Sequence, residues 1–164
     1  MDITRIGPAD WETFRAVRLA SLLESPAAFG SRYADWVDAP AERWRSRLTQ
    51  VPLNLVAREG TEVVGVVSGQ LVDEDWVELI SMWVSPDARR TGAAGQLIDL
   101  VAEWAADQDR STFLMVRSDN TRAWKAYERS GFVDVGVPQG WAAEQPPERR
   151  MERRSSRSDG VPHG

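Results

Sequence analysis

The chain has 164 residues, 42% of them apolar, and a formal net charge of −5. That length fits one domain with a sizeable core, and no apolar run approaches the roughly 18 residues of a membrane-spanning helix. With no cysteine and His163 as the single histidine, disulfides, thiolate chemistry, histidine triads and zinc centres are excluded.

Acid–base chemistry is therefore left to carboxylates, tyrosine, water or a substrate. The acidic balance argues against a general nucleic-acid binder and mildly favours cationic partners such as amines. The first residues, MDITRIGPADW, contain no apolar signal-peptide core, so no secretory signal is expected. Together with the missing cysteines this predicts a cytoplasmic protein.

Asp2 to Ile6 alternates as a first strand does, and Gly7 to Asp10 forms a turn with Asp10 as the expected N-cap of a helix. Trp11, Phe14, Val17, Arg18, Leu19, Leu22 and Leu23 mix three- and four-residue spacings, which predicts an amphipathic helix up to about Glu24, where Ser25-Pro26 breaks it. A small-residue loop follows, and Pro40 opens a second helix through Trp44, Leu48 and Gln50. Leu53 to Arg58 and Val63 to Leu71 read as a hairpin turning at Gly60, with Gly65 and Gly69 as candidate bulge points.

Asp73-Glu74-Asp75 leads into an apolar run, Val77 to Val84, which Ser85-Pro86-Asp87 stops. The loop Arg89-Arg90-Thr91-Gly92-Ala93-Ala94-Gly95 comes next. It precedes a helix with Leu97, Ile98, Val101, Ala102, Trp104 and Ala105 on one side. Strand, small basic loop, helix: this order aims free N–H groups and a helix dipole at one point, either as an anion site or as a plain tight turn. No Gly-Lys-Ser or Gly-Lys-Thr occurs, which excludes a P-loop, and Gly92 to Gly95 does not supply GxGxxG.

Phe113 to Val116 reads as a short buried strand. Asn120 then heads a helix bearing Ala123, Trp124 and Tyr127 and ending at Gly131 before Phe132. Val133 to Val137 and Glu148 to Arg153 complete the strands, the latter with Met151 inward and a long loop between. The arginines at 149, 150, 153, 154 and 157 read as a solvated edge, and residues 155–164 as a disordered tail beyond a domain at 1–154. Three antiparallel strands followed by strand–helix–strand–helix–strand make an α+β pattern.

Two motifs carry a resemblance. Arg89, Gly92 and Ala94 match Arg/Gln-x-x-Gly-x-Gly/Ala, and Asn120, Ala123, Tyr127, Gly131 and Phe132 match Asn-x-x-Ala-x-x-x-Tyr-x-x-x-Gly-Phe. In this order they resemble the acyl-coenzyme A loop and the second conserved block of the Gcn5-related N-acetyltransferase (GNAT) superfamily. The resemblance implies a three-layer αβα fold. Its central sheet would be mixed and mostly antiparallel, with parallel central strands splayed around acetyl-CoA.

It also implies acetyl transfer from acetyl-CoA straight to a primary amine, with no metal. The loop of Arg89, Arg90, Thr91, Gly92, Ala93, Ala94 and Gly95 would hold the pyrophosphate. Backbone of Met82, Trp83 and Val84 would face the thioester and the pantetheine arm, and Asn120 would cap its helix, touch that arm, or both. Tyr127 would be the general acid, since a phenol of pKa about 10 stays protonated at neutral pH. Glu78, acting through water, is the first candidate for general base. Phe29, Tyr33 and Trp36 are candidates for an acceptor pocket, the alternative being that they pack the first helices on the sheet.

Acetyltransferases of ribosomal-protein N-termini carry a glutamate five residues before the asparagine, where this chain has Met115. A small-molecule amine, a metabolite or antibiotic, is therefore the leading acceptor. A protein α-amino group or lysine is the alternative, and a non-catalytic acyl-CoA-binding module is a third. Pairing through edge strands or the C-terminal region is common in the superfamily, which leaves a homodimer open.

Overall fold

The computed structural model describes residues 1–29, 31–138, 140 and 147–155. Its centre is one seven-stranded sheet in the order β1-β2-β3-β4-β5-β7-β6. The strands are β1 (Asp2–Arg5), β2 (Leu53–Glu59), β3 (Glu62–Leu71), β4 (Trp76–Val84), β5 (Ser111–Arg117), β6 (Val133–Gly136) and β7 (Glu148–Arg153). All neighbours pair antiparallel except β4 and β5, which are parallel. This is the mixed α+β arrangement expected from the sequence.

Period-two burial sorts the sheet into two faces. Leu53, Leu55, Ala57, Val67, Val77 and Leu79 pack with Leu97, Ile98 and Val101 of α4 (Ala93–Ala106). Tyr127 of α5 (Thr121–Arg129) joins the same core. On the opposite face Val56, Val66 and Trp83 meet Phe14 and Val17 of α1 (Trp11–Glu24) and Trp44 and Leu48 of α3 (Ala41–Gln50). A four-residue helix, α2 (Tyr33–Trp36), lies between them and was not foreseen, being too short to show a period.

The tight layer on β3 explains two glycines. A Cβ at Gly65 would stand 3.1 Å from Leu97 Cδ1, and one at Gly69 would stand 3.2 Å from Val101 Cγ1. Both serve close approach of α4. Gly65 also neighbours the register shift opposite Ala57 and Arg58, whereas Gly69 pairs regularly with Leu53 and Leu79.

Other local expectations shift slightly. Asp10 precedes α1, but its carboxylate accepts from Gly7 N–H at 2.9 Å, closing the 3-10 turn Pro8–Asp10 instead of capping the helix. Pro40 is the N-cap of α3 and Ala41 its first residue. β7 enters between β5 and β6, so Met151 is fully buried. Ser155 is buried as well, its N–H donating to Ser111 Oγ at 2.9 Å. Residues 141–146 of the expected loop and 156–164 of the expected tail lie outside the described residues. No helix among the described residues is long and apolar enough to cross a membrane.

Candidate active site

The parallel pair β4/β5 is short. Trp76 pairs with Ser111, Val77 with Thr112 and Glu78 with Phe113, and the pairing goes no further although both strands continue. The cause lies three residues beyond Glu78. Ser81 adopts φ +58°, and the register with β3 slips between Val66 and Ser68, so β4 carries a bulge that turns it away from β5. Arg47 Nη2 donates to Ser81 Oγ and to Ser68 Oγ, each at 3.2 Å, while its Nη1 donates to Asn54 Oδ1 at 3.1 Å.

Beyond the bulge β4 still pairs with β3, and Ser85 N–H donates to Val64 C=O at 2.8 Å. Successive residues of a strand point their polar groups to opposite sides. Trp83 therefore turns toward β3, and Met82 and Val84 direct their N–H groups into the gap left by β5. Val84 C=O, on that same side, accepts from Arg89 Nε at 3.1 Å.

The next residues line the same gap. After the 3-10 turn Pro86–Ala88, Arg90 adopts φ +73° and Gly92 φ +88°, and Gly92 is the N-cap of α4. The Thr91 hydroxyl donates to Ala88 C=O at 2.5 Å and accepts from Ala93 N–H at 3.4 Å. Gln96 N–H is the first to find a helical acceptor, Gly92 C=O at 3.1 Å. The N–H groups of Arg90, Thr91, Gly92, Ala94 and Gly95 have no acceptor among the described residues. They form the donor cluster that a helix start provides for an anion.

A groove of about 1190 Å³ runs along this opening. Met82, Trp83 and Val84 line one wall, Arg90, Gly92, Ala94 and Gly95 the loop side, and Asn120 and Tyr127 the α5 side, while Thr91 and Ala93 do not line it. Asn120 Oδ1 accepts from Ala123 N–H at 3.3 Å and so caps α5. Tyr127 is 8% exposed and packs edge-on against Phe132. Burial pushes its phenol well above the ordinary 10.

Sequence reading missed the basic rim. Arg122, Lys125 and Arg129 line the groove from α5. Their i, i+3, i+7 spacing after Asn120 puts them on one helical stripe, a signal present in the sequence. With the free N–H groups they suit an extended ligand bearing several phosphates. No group of three metal-ligating residues occurs among the described residues.

The remaining sequence candidates divide. All three aromatics pack against the α1/α3 core, Trp36 with its ring 4.8 Å from that of Trp44, and of the three Phe29 also lines the groove. Arg89 lines the groove but spends its charge on Glu24, 2.9 Å away. Glu24 also accepts from Trp83 Nε1 at 3.0 Å and from the Ser25 hydroxyl. Burial alone would raise its carboxyl, but the hydrogen bonds from Ser25, Trp83 and Arg89 hold it below the ordinary 4.5. Glu78 is not part of the groove lining. It sits in the paired stretch of β4, half-buried, and accepts from Gln70 Nε2 at 2.7 Å.

The acetyltransferase (GNAT) family model matches residues 17–132. Solved structures share the whole architecture at low identity. An acetyltransferase of the GNAT family from Streptococcus pneumoniae is 19% identical with a TM-score of 0.77, over 93% of this chain and 97% of the other. A putative acetyltransferase from Salmonella typhimurium, solved with its cofactor acetyl-CoA, is 19% identical at 0.71, over 94% and 93%. The ribosomal-protein-S18-alanine N-acetyltransferase from Escherichia coli is 16% identical at 0.66, over 92% and 91%. No curated protein matches the chain.

Proposed function

Because the chain belongs to the GNAT acetyltransferase family, and is thus an enzyme using acetyl-CoA, we propose that its acceptor is a primary amine on a small molecule. The observation that carries this reading is the groove itself. One opening in the sheet gathers the N–H groups of Met82 and Val84, the donor cluster of Arg90 to Gly95, and Tyr127.

The residues fit the coenzyme. Free N–H groups at the start of α4, with the basic rim of Arg90, Arg122, Lys125 and Arg129, would hold its phosphates. The N–H groups of Met82 and Val84 would hold the pantetheine arm, with one of them as the donor at the thioester carbonyl. Acetyl-CoA supplies an activated acetyl group whose transfer leaves a thiolate.

Tyr127 Oη would hold the proton that the thiolate takes up. A phenol kept neutral by burial retains that proton at every working pH. The acceptor must enter as a free amine, since an ammonium of pKa about 10 has no lone pair to attack with. Glu78 shares its sheet face with Asn54 and Ser68, by register through Gln70 and Ile80, on the α1/α3 side. From there it would accept the amine proton through water.

A small acceptor is favoured by the cover over β4. Glu24 ties the end of α1 to Trp83 and Arg89, leaving Trp83 8% exposed. Met115 in place of a glutamate also speaks against a protein N-terminus. The absence of cysteine from the sequence suits a cytoplasmic site of action.

The test is a thiol-release assay with acetyl-CoA against free amines and against peptides with free N-termini or lysines. Turnover confined to free amines is expected. Preferential acetylation of peptides would replace the small-molecule reading with the protein one.

A further inference from the structure

Two arginines on the α1/α3 face of the sheet lack a counter-ion among the described residues. Arg18, on α1, is 9% exposed, its Nη1 is buried without a hydrogen-bond partner, and its side chain makes no ion pair or hydrogen bond among the described residues. Its guanidinium lies over the Phe29 ring, 4.6 Å from the centroid, and Phe29 lines the groove beside Met82 and Trp83. Arg47, on α3, converges on the same region. It is held by Asn54, Ser68 and Ser81, and Ser81 immediately precedes Met82.

Neither guanidinium meets a carboxylate among the described residues. Burial, and then the charge of Arg47, pushes Arg18 down to about 10, and burial does the same to Arg47. A buried cation without a partner is costly, and two neighbouring cations raise that cost. The role of Arg47 in fastening the bulge accounts for its own burial. For Arg18 the compensation among the described residues is the face of the Phe29 ring, a weaker partner than a hydrogen-bonded carboxylate. An arginine kept at such a cost beside a groove wall is prepared for an anion that arrives with the ligand.

We propose that Arg18, backed by the charge of Arg47, binds a carboxylate on the acceptor, so that the substrates are amino-acid-like molecules carrying both a primary amine and a carboxylate. The inference rests on the small-amine reading above and narrows it. The carboxylate lies on the α1/α3 side, and the amine is directed toward the opening at Met82 and Val84. The arginine pair thus selects the acceptor, while the loop before α4 and the rim of α5 bind the coenzyme.

The test compares L-amino acids with their carboxamides as acceptors for the wild type and for Arg18→Met and Arg18→Lys. Thiol release measures turnover, and calorimetric titration of acetyl-CoA is run in parallel. The wild type is expected to favour acids over carboxamides by about tenfold or more in kcat/KM, as charge-assisted pairing implies. Arg18→Met should bring that ratio close to one, and Arg18→Lys should restore part of it. Removing a buried unpaired charge should also raise the Tm of Arg18→Met by about 2–4 °C.

Equal use of acids and carboxamides by the wild type would overturn the proposal, as would an undiminished ratio in Arg18→Met. A lower Tm or failure to fold in Arg18→Met would make Arg18 structural and also count against it. Protein that binds acetyl-CoA yet acetylates only peptides or neutral amines would defeat this inference and leave the acetyltransferase intact. Failure to bind acetyl-CoA would remove both.

Discussion

Arg47 Nη2 lies 3.2 Å from Ser81 Oγ, so a guanidinium on α3 holds the strand residue whose φ of +58° opens the sheet. A left-handed serine costs about 1–2 kcal/mol, and it persists where surrounding bonds over-determine it. The α3 layer and the gap between β4 and β5 are therefore mechanically linked. Whatever shifts α3 shifts the direction of Met82 N–H.

Arg47→Met should loosen that link. Asn54 Oδ1 keeps the Ser68 hydroxyl at 2.7 Å, but Ser81 loses the partner that fixes it. We expect a loss of about 1–3 kcal/mol in urea unfolding together with weaker acetyl-CoA binding. Unchanged affinity in a destabilised variant would show that the bulge holds without Arg47.

Tyr127→Phe removes only a hydroxyl from a ring packed on Phe132. Turnover should fall by about 10²-fold or more, with the coenzyme Kd and the Tm preserved. Because burial raises the phenol above its ordinary 10, the wild-type rate should climb through neutral pH as the acceptor ammonium deprotonates. A descending alkaline limb below pH 10 would argue against Tyr127 as the acid.

Gly92 and Gly95 should respond differently. Gly92 needs its φ of +88°, so Gly92→Ala is expected to lose about 1 kcal/mol of stability. A Cβ at Gly95 meets no atom within 4 Å, and this residue is helical, so Gly95→Leu should fold at least as well. Its side chain would nevertheless enter the groove. Calorimetry should show acetyl-CoA binding lost in Gly95→Leu at an unchanged or higher Tm.

Glu24 gives a pH signature. Its carboxyl is held below the ordinary 4.5, so its ion pair contributes fully above the unfolded value and is lost as pH falls through the lower folded one. Thermal melts from pH 6 down to pH 3 should show tryptophan fluorescence changing before global unfolding, as the tie from Trp83 to Glu24 releases. In Glu24→Gln the acid-dependent part of that change should vanish.

Local physics made much of this protein legible. Alternation over Val63 to Leu71 and the helical spacing of Leu97, Ile98, Val101 and Ala105 report burial against one face, which is a short-range property of the chain. Gly92 and Asn120 were readable because a positive φ and a helix cap restrict residue type at a single position. Even the stripe of Arg122, Lys125 and Arg129 was written in the spacing.

Tertiary structure decided the rest. Phe29 reaches the groove while Tyr33 and Trp36 stay against the α1/α3 core, although all three are aromatics of one segment, because only the path of the chain after α1 sets which ring meets the opening. Arg89 matched a coenzyme motif but turns to Glu24, which the sequence separates from it by three strands. Nothing in the spacing of the two helices marks Arg18 and Arg47 as neighbours. That they converge without a counter-ion depends on α1 and α3 crossing the same face of β4, since a charge is balanced by its neighbours in space, and distances between distant segments are fixed only when the core closes.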